Sequence, residues 1–149
     1  LFPITAFAQA YVQTWDLVDS GKHLDYDGNS TYMSYINTGA ATWNAYKSGV
    51  IRKDSAFVVE DVYVSDVNAS NGWAGMTYSS GKIELNTYYM SSYSNSKKQN
   101  VATHELGHAL GLDHSTSTDV MDAAITGHTS TQALSQNDKD SYDAAYNNY

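Results

Sequence analysis

Three histidines and one glycine limit the local structure of this chain more strongly than any other group of residues. His104 and His108 are four residues apart, so in an α-helix they differ by about 40° in direction and about 6 Å along the axis. Both imidazoles then point the same way and can reach one ion. Gly111 can end such a helix with a sharp turn, because glycine tolerates a positive φ, and His114 follows three residues later. The pattern therefore predicts a helix, a tight turn and a metal site.

The ligand set and the residue after the first histidine indicate which metal binds and how it is used. Three neutral imidazoles leave a tetrahedral zinc ion with one open position for water, as in catalytic zinc sites. A structural site usually closes with a cysteine, and the chain has none. Glu105 lies about 100° around the helix from His104, where it can contact a water on the metal. We expect one catalytic zinc with Glu105 as general base; the alternative is a helix in which the pattern arises by chance.

The run HELGHALGLDHS at residues 104–115 resembles the zinc signature of the metzincin metallopeptidases, and most closely that of the matrixins. Met121, seven residues after the third histidine, matches the methionine turn that lies beneath the zinc in metzincins; an ordinary core methionine is the alternative. Near the end of the chain, Ser135 and Asp138 form a variant of the capping box, in a segment that resembles the start of the matrixin C-terminal helix.

The resemblance covers most of the chain from Trp15 onward and implies an α+β fold of the zincin type. We expect a twisted mixed β-sheet of about four to five strands with an antiparallel edge strand, plus three main helices. The residue pattern agrees with that order of elements. It predicts strands at 22–26, 55–67, 73–78 and 82–88, a helix at 31–48, a zinc helix after a polar loop that ends near residue 96, and a helix after residue 135.

The outer strand of the predicted hairpin is the expected substrate-binding edge. In matrixins this strand runs antiparallel to the bound substrate, and by position it corresponds to residues 72–78. An exposed strand edge offers unpaired N–H and C=O groups, so an extended peptide can add to it as another strand. Trp73, Ala74 and Gly75 are therefore candidate substrate-binding residues, although simple packing accounts for Trp73 equally well.

The chain also departs from the matrixin pattern. Ala123 and residues 124–126 stand where matrixins usually carry a proline and a tyrosine, so the pocket on the primed side is expected to differ. His23 and His128 are too few to build the second, structural zinc site of many matrixins. The cysteine of the matrixin latency switch is missing as well.

Calcium is a further candidate cofactor. The turn at residues 25–29 carries three oxygen-bearing side chains that are suited to calcium, but a solvated turn before a helix explains it more simply. Asn68 and Asn71 are weaker candidates in the next loop.

Composition excludes some partners and favours others. The 149 residues are best explained as a single domain, and 8 basic against 16 acidic side chains give a net charge of −8. This balance opposes binding to nucleic acid or to anionic membranes, and no apolar run reaches the roughly 18 residues of a transmembrane helix. The resemblance to matrixins implies a protein or peptide substrate, and we expect a monomeric enzyme.

The absence of cysteine and the abundance of Ser, Thr, Asn and Tyr favour a secreted, extracellular protein of bacterial rather than animal origin. Residues 1–14 are either the remnant of a signal or prosegment, with small-x-small motifs at 6–8 and 8–10, or the N-terminal arm of the mature enzyme.

The sequence as a whole predicts a secreted zinc-dependent endopeptidase that hydrolyses extended protein substrates through a zinc-bound water activated by Glu105. Two alternatives remain open. One is a catalytically degenerate, zinc-containing protein that binds peptide or carbohydrate, and the other is a metallohydrolase that acts on something other than peptides.

Overall fold

The computed structural model describes residues 10–55, 57 and 59–149, and within them it has five strands and four α-helices. The predicted motifs at 6–8 and 8–10 fall wholly or partly outside the described residues, as does Val58 in a predicted strand. In chain order the elements are β1 (Leu24–Gly28), α1 (Met33–Tyr46), β2 (Ile51–Lys53), β3 (Val62–Val67), β4 (Gly75–Tyr78), β5 (Lys82–Asn86), α2 (Thr87–Met90), α3 (Asn95–Ala109), a 3₁₀ turn (Ile125–Gly127) and α4 (Gln136–Tyr146). None of the helices in these residues combines the length and the apolar character that a membrane crossing requires.

The five strands form one mixed sheet in the order β2-β1-β3-β5-β4. The neighbours β2, β1, β3 and β5 run parallel, whereas β4 runs antiparallel to β5, with Gly75 opposite Leu85 and Tyr78 opposite Lys82. The β4–β5 pair is a hairpin that places β4 at the edge. The predicted mixed sheet, its antiparallel edge strand and the three main helices α1, α3 and α4 are confirmed.

Several predicted boundaries were wrong, and strand pairing explains the differences. The strand predicted at 55–67 begins only at Val62, which pairs with Tyr26. Its β-branched first half favours an extended chain, but a strand also needs a partner in register. The structure adds β2, which was not predicted, on the other side of β1. Strand β5 ends at Asn86, two residues before the predicted end at residue 88. The short helix α2 takes up those two residues and the start of the predicted polar loop, and the Asn86 side chain accepts a hydrogen bond from the Tyr88 backbone N–H at its start.

The core lies between the sheet and the two long helices α1 and α3, which pack against each other. The indole nitrogen of Trp43 in α1 donates a 2.9 Å hydrogen bond to the Thr103 carbonyl in α3, and both residues are buried. The predicted core stripe of α3 is fully buried: Ala102, Leu106, Ala109 and Leu110. Helix α3 is therefore a firmly packed support for the side chains on its other face.

Candidate metal centre

The three histidines of the motif come together at the surface of α3. The Nε2 atom of His108 lies 3.1 Å from Nε2 of His104 and 3.2 Å from Nε2 of His114. Two nitrogens that each bind one tetrahedral zinc ion at about 2.0–2.1 Å are about 3.3–3.4 Å apart. The donor set and its spacing therefore fit a zinc ion bound by three imidazoles.

Hydrogen bonds orient two of these rings. Nδ1 of His104 lies 2.8 Å from the Val120 carbonyl oxygen, and Nδ1 of His108 lies 2.8 Å from that of Leu112. A carbonyl oxygen can only accept, so Nδ1 carries the proton in each ring and the Nε2 lone pair faces the centre. The backbone thus selects the tautomer that a metal needs.

Burial keeps the same two rings neutral. Loss of solvent, helped by the neighbouring His108, lowers the pKa of His104 to about 3. Burial also lowers the pKa of His108. Metal binding requires neutral imidazoles, so these ligands need no deprotonation at neutral pH.

The third histidine reaches the centre because α3 ends in a sharp turn. Gly111 has a φ of +95°, in the left-handed region that favours glycine. The Leu112 N–H donates to the Gly107 carbonyl and the Gly111 N–H to the His108 carbonyl, the bond pattern of a Schellman motif. The expected role of Gly111 in ending the helix is confirmed, and the turn brings the exposed His114 beside His108.

Met121 lies against the same helix. It is buried, and a Cβ atom at Gly107 would overlap its sulfur. The carboxylate of Asp138 in α4 accepts hydrogen bonds from the backbone N–H groups of Val120 (2.8 Å) and Met121 (3.2 Å). The predicted capping box of Ser135 and Asp138 is present. Helix α4 therefore fixes the turn whose Val120 carbonyl orients His104.

Glu105 is a buried carboxyl group, with 5% of its surface exposed. Its Oε2 accepts a 2.7 Å hydrogen bond from the Thr77 hydroxyl. Burial raises the pKa of Glu105 to about 7, and this hydrogen bond opposes the increase. The group can therefore gain or lose a proton near neutral pH.

A cavity of about 440 Å³ joins the predicted site residues. It is lined by all three histidines and Glu105 and by the candidate substrate residues Trp73, Ala74 and Gly75, with Ala123, Ile125 and Thr126 on another wall. The cavity leaves out Met121, which lies on the core side of α3.

The sequence alone did not single out several other residues that line this cavity, among them Gln13, Trp15 and Thr77. Thr77 could have been found from strand alternation, because it lies two residues after Gly75 and so on the same face. Gln13 and Trp15 belong to a segment without a recognisable motif, and contacts with residues about a hundred positions away bring them to the site.

In the candidate calcium turn, two of the three oxygen-bearing side chains have partners within the protein. The Asp25 carboxylate accepts hydrogen bonds from Nε (2.7 Å) and Nη2 (2.8 Å) of Arg52, and Asp27 accepts one from the Gly28 backbone. In the next loop, the Asn71 oxygen accepts from the side-chain amide of Asn86. Asp25, Asp27 and Asn71 therefore each have a structural contact, and calcium binding stays a prediction.

Comparison with known proteins identifies similar solved structures and a matching sequence family. The fold is similar to that of archaemetzincin from Methanopyrus kandleri, with a TM-score of 0.61 and 12% identity over 87% of this chain and 99% of that one. High choriolytic enzyme 1, a hatching-enzyme zinc protease of the medaka Oryzias latipes, has a TM-score of 0.40 and 19% identity over 70% of this chain and 54% of its own. No curated protein sequence matches the chain. The sequence model of the matrixins matches residues 6–147, and the chain therefore belongs to the matrixin family of metzincins.

Proposed function

We propose that this protein is a zinc endopeptidase that hydrolyses peptide bonds in extended protein substrates. One observation carries most of the proposal: the buried carboxyl group of Glu105 shares a cavity with three imidazoles whose Nε2 atoms converge. A proton acceptor next to a zinc site is the arrangement that metal-assisted hydrolysis needs. Membership of the matrixin family supports the same chemistry.

In this proposal His104, His108 and His114 bind zinc through neutral Nε2 atoms. Zinc held there would supply Lewis acidity, which would polarise a substrate carbonyl and make a bound water more acidic. The backbone carbonyls of Val120 and Leu112 hold the rings of His104 and His108 in the required tautomer. The burial of both rings keeps them unprotonated.

Glu105 acts as general base and then as general acid. It accepts a proton from the water that attacks the scissile carbonyl and passes a proton to the nitrogen of the leaving amine. A pKa raised to about 7 by burial suits a group that must both take up and release a proton at neutral pH. A buried carboxylate is also shielded from bulk water.

The substrate is proposed to lie along the free edge of β4. The Asn86 N–H donates to the Ala74 carbonyl, and in an antiparallel pair such hydrogen-bonded positions alternate with outward-facing ones. The backbone groups of Gly75 and Thr77 therefore face the free edge, where an extended peptide can pair with them. Trp73, Ala74 and Gly75 then contact the peptide beside Glu105.

We further propose that the enzyme acts outside the cell as a monomer. An acidic chain without cysteine, rich in Ser, Thr, Asn and Tyr, supports the extracellular location. Detection of the protein in the culture medium of its source and a native mass of one chain would agree with it.

The change Glu105→Ala tests the proposed chemistry. We expect zinc content and fold to be retained and cleavage of casein to fall by about 10²–10⁴-fold or more, since the general base is removed. Glu60→Ala is the matched control, because Glu60 is exposed in a loop and its loss should leave cleavage unchanged. Full activity of the purified Glu105→Ala protein would refute the assigned role.

A degenerate binding protein is separated from a peptidase by a second assay. Zinc-loaded protein is incubated with a fluorogenic peptide, with and without a chelator. Cleavage that the chelator abolishes supports the proposal, whereas chelator-sensitive binding without cleavage would favour the binding protein.

A further inference from the structure

Two residues of the edge strand β4 contact the proposed general base. Side chains two residues apart in a strand point to the same face, and Gly75 and Thr77 both face Glu105 in α3. A Cβ atom at Gly75 would lie 2.8 Å from Cγ and 2.9 Å from Oε1 of Glu105, so a side chain there would displace Glu105. Gly75 therefore leaves the space that the Glu105 side chain fills.

Thr77 supplies the hydrogen bond. Its hydroxyl oxygen lies 2.7 Å from Oε2 of Glu105 and 2.9 Å from the Glu105 backbone oxygen. Within the described residues no other side chain donates to this carboxylate. Because Glu105 is almost fully buried, an ionised carboxylate without a donor would be costly, so this contact strongly restricts its orientation.

The hydroxyl can satisfy Glu105 both before and after proton transfer. The hydroxyl has one proton to donate. The charged Glu105 carboxylate attracts that proton more strongly than the Glu105 backbone carbonyl does. Once the Glu105 carboxyl group holds a proton, its O–H can donate to Thr77 Oγ1. The Thr77 hydroxyl can then donate its own proton to the backbone carbonyl of Glu105. The same two residues therefore remain bonded through both forms.

We infer that Thr77 is a positioning residue, which holds the Glu105 carboxylate in the orientation that proton transfer requires. The inference rests on the proposed function, since it assigns Thr77 a role in turnover through Glu105. The edge strand then has two roles, because its backbone pairs with the substrate while its Thr77 side chain orients the base.

The kinetic test compares Thr77→Val with Thr77→Ser. Valine keeps the shape and removes the hydroxyl, so we expect kcat to fall by about 10- to 100-fold, the usual effect of losing a partner that orients a reactive group. KM, zinc content and the thermal unfolding midpoint should change little, and Thr77→Ser should restore most of kcat. Thr87→Val is the control, because the Thr87 hydroxyl also donates to a carbonyl, that of Val67, but does not contact Glu105.

Wild-type kcat in Thr77→Val, or equal losses in the Val and Ser variants, would overturn the inference. A double-mutant cycle tests the contact without any activity measurement. Urea unfolding of metal-free wild type, Thr77→Val, Glu105→Ala and the double variant should show a coupling on the order of tenfold in the unfolding equilibrium constant. Additive effects would overturn the inference even in an active enzyme. Coupling in a protein that cleaves no peptide would instead refute the proposed function and leave the contact established.

Discussion

Gly107 shows how a single missing side chain supports the candidate metal centre. It lies within α3, where alanine would be favoured over glycine by about 0.5–1 kcal/mol. A Cβ atom there would overlap the sulfur of Met121 and lie 2.9 Å from Cζ2 of Trp43. Overpacking of this kind costs about 1–3 kcal/mol, so the steric cost exceeds the gain in helix propensity. The position needs glycine because Met121 and Trp43 are already packed against it.

We predict that Gly107→Ala destabilises the protein by roughly 0.5–2 kcal/mol, the steric cost less the gain in helix propensity. It should also weaken zinc binding, because Met121 and its turn must move away from α3. Urea unfolding and zinc titration measure the two effects. Gly127→Ala is the control, since nothing lies within 4 Å of a Cβ at Gly127. A Gly107→Ala protein as stable as the wild type would contradict this account.

Among the elements, α4 also stabilises a turn outside the helix, the one that contains Val120 and Met121. Asp138 is the third residue of α4. Its carboxylate accepts hydrogen bonds from the backbone N–H of Ser135 at the start of the helix and from the backbone N–H groups of Val120 and Met121 in the methionine turn. The Val120 carbonyl in turn accepts from His104. The start of α4 is thereby linked to a candidate metal ligand through a single carboxylate.

Replacing Asp138 with alanine is expected to destabilise the protein by at least about 2 kcal/mol, because several buried backbone donors lose a charged acceptor. Zinc affinity should fall as well, since the Val120 carbonyl that orients His104 loses its support. Unfolding of the metal-free protein by urea gives the first value and competition with a chelator the second. For comparison, Asp140→Ala removes a surface contact with Gln136 and should change stability by less than about 0.5 kcal/mol. Equal effects of the two variants would argue against the proposed link.

Across the whole molecule, the candidate site depends on a segment near the start of the chain. The Gln13 N–H donates to the Gly111 carbonyl and the Leu17 N–H to that of Ala109, each at 2.9 Å. The Gln13 side-chain amide donates to the His108 carbonyl at 2.7 Å, across 95 residues of sequence. Residues 11–17 therefore brace the end of α3 and the turn that leads to His114.

The brace gives a prediction for Gln13→Ala. Loss of the side-chain hydrogen bond should lower stability by about 0.5–1.5 kcal/mol and raise the zinc dissociation constant severalfold, because the end of α3 becomes less rigid. Competition with a chelator measures the zinc dissociation constant, and urea unfolding measures the stability. Thr14 is exposed, so the control Thr14→Ala should have the stability and zinc affinity of the wild type. Unchanged zinc affinity in Gln13→Ala would show that the brace does not act on the metal site.

Much of the fold and of the candidate centre could be predicted from the sequence because the relevant rules are local. Helical spacing predicted that His104 and His108 share a face, and the glycine rule predicted that the helix stops at Gly111. Capping chemistry predicted the start of α4. Among the described residues of the predicted strand at 55–67, those before Val62 are not in a strand, because β-branched residues favour an extended chain but cannot supply a pairing partner.

Spacing along the chain was thus sufficient to bring the three candidate ligands and the glutamate to one face and to end the helix, since helical geometry and glycine conformation act over only a few residues. The hydroxyl of Thr77 beside Glu105, the brace from Gln13 and the raised pKa of Glu105 are set by long-range packing. Desolvation and hydrogen bonds between distant segments depend on which surfaces meet, and no local pattern in the sequence records that.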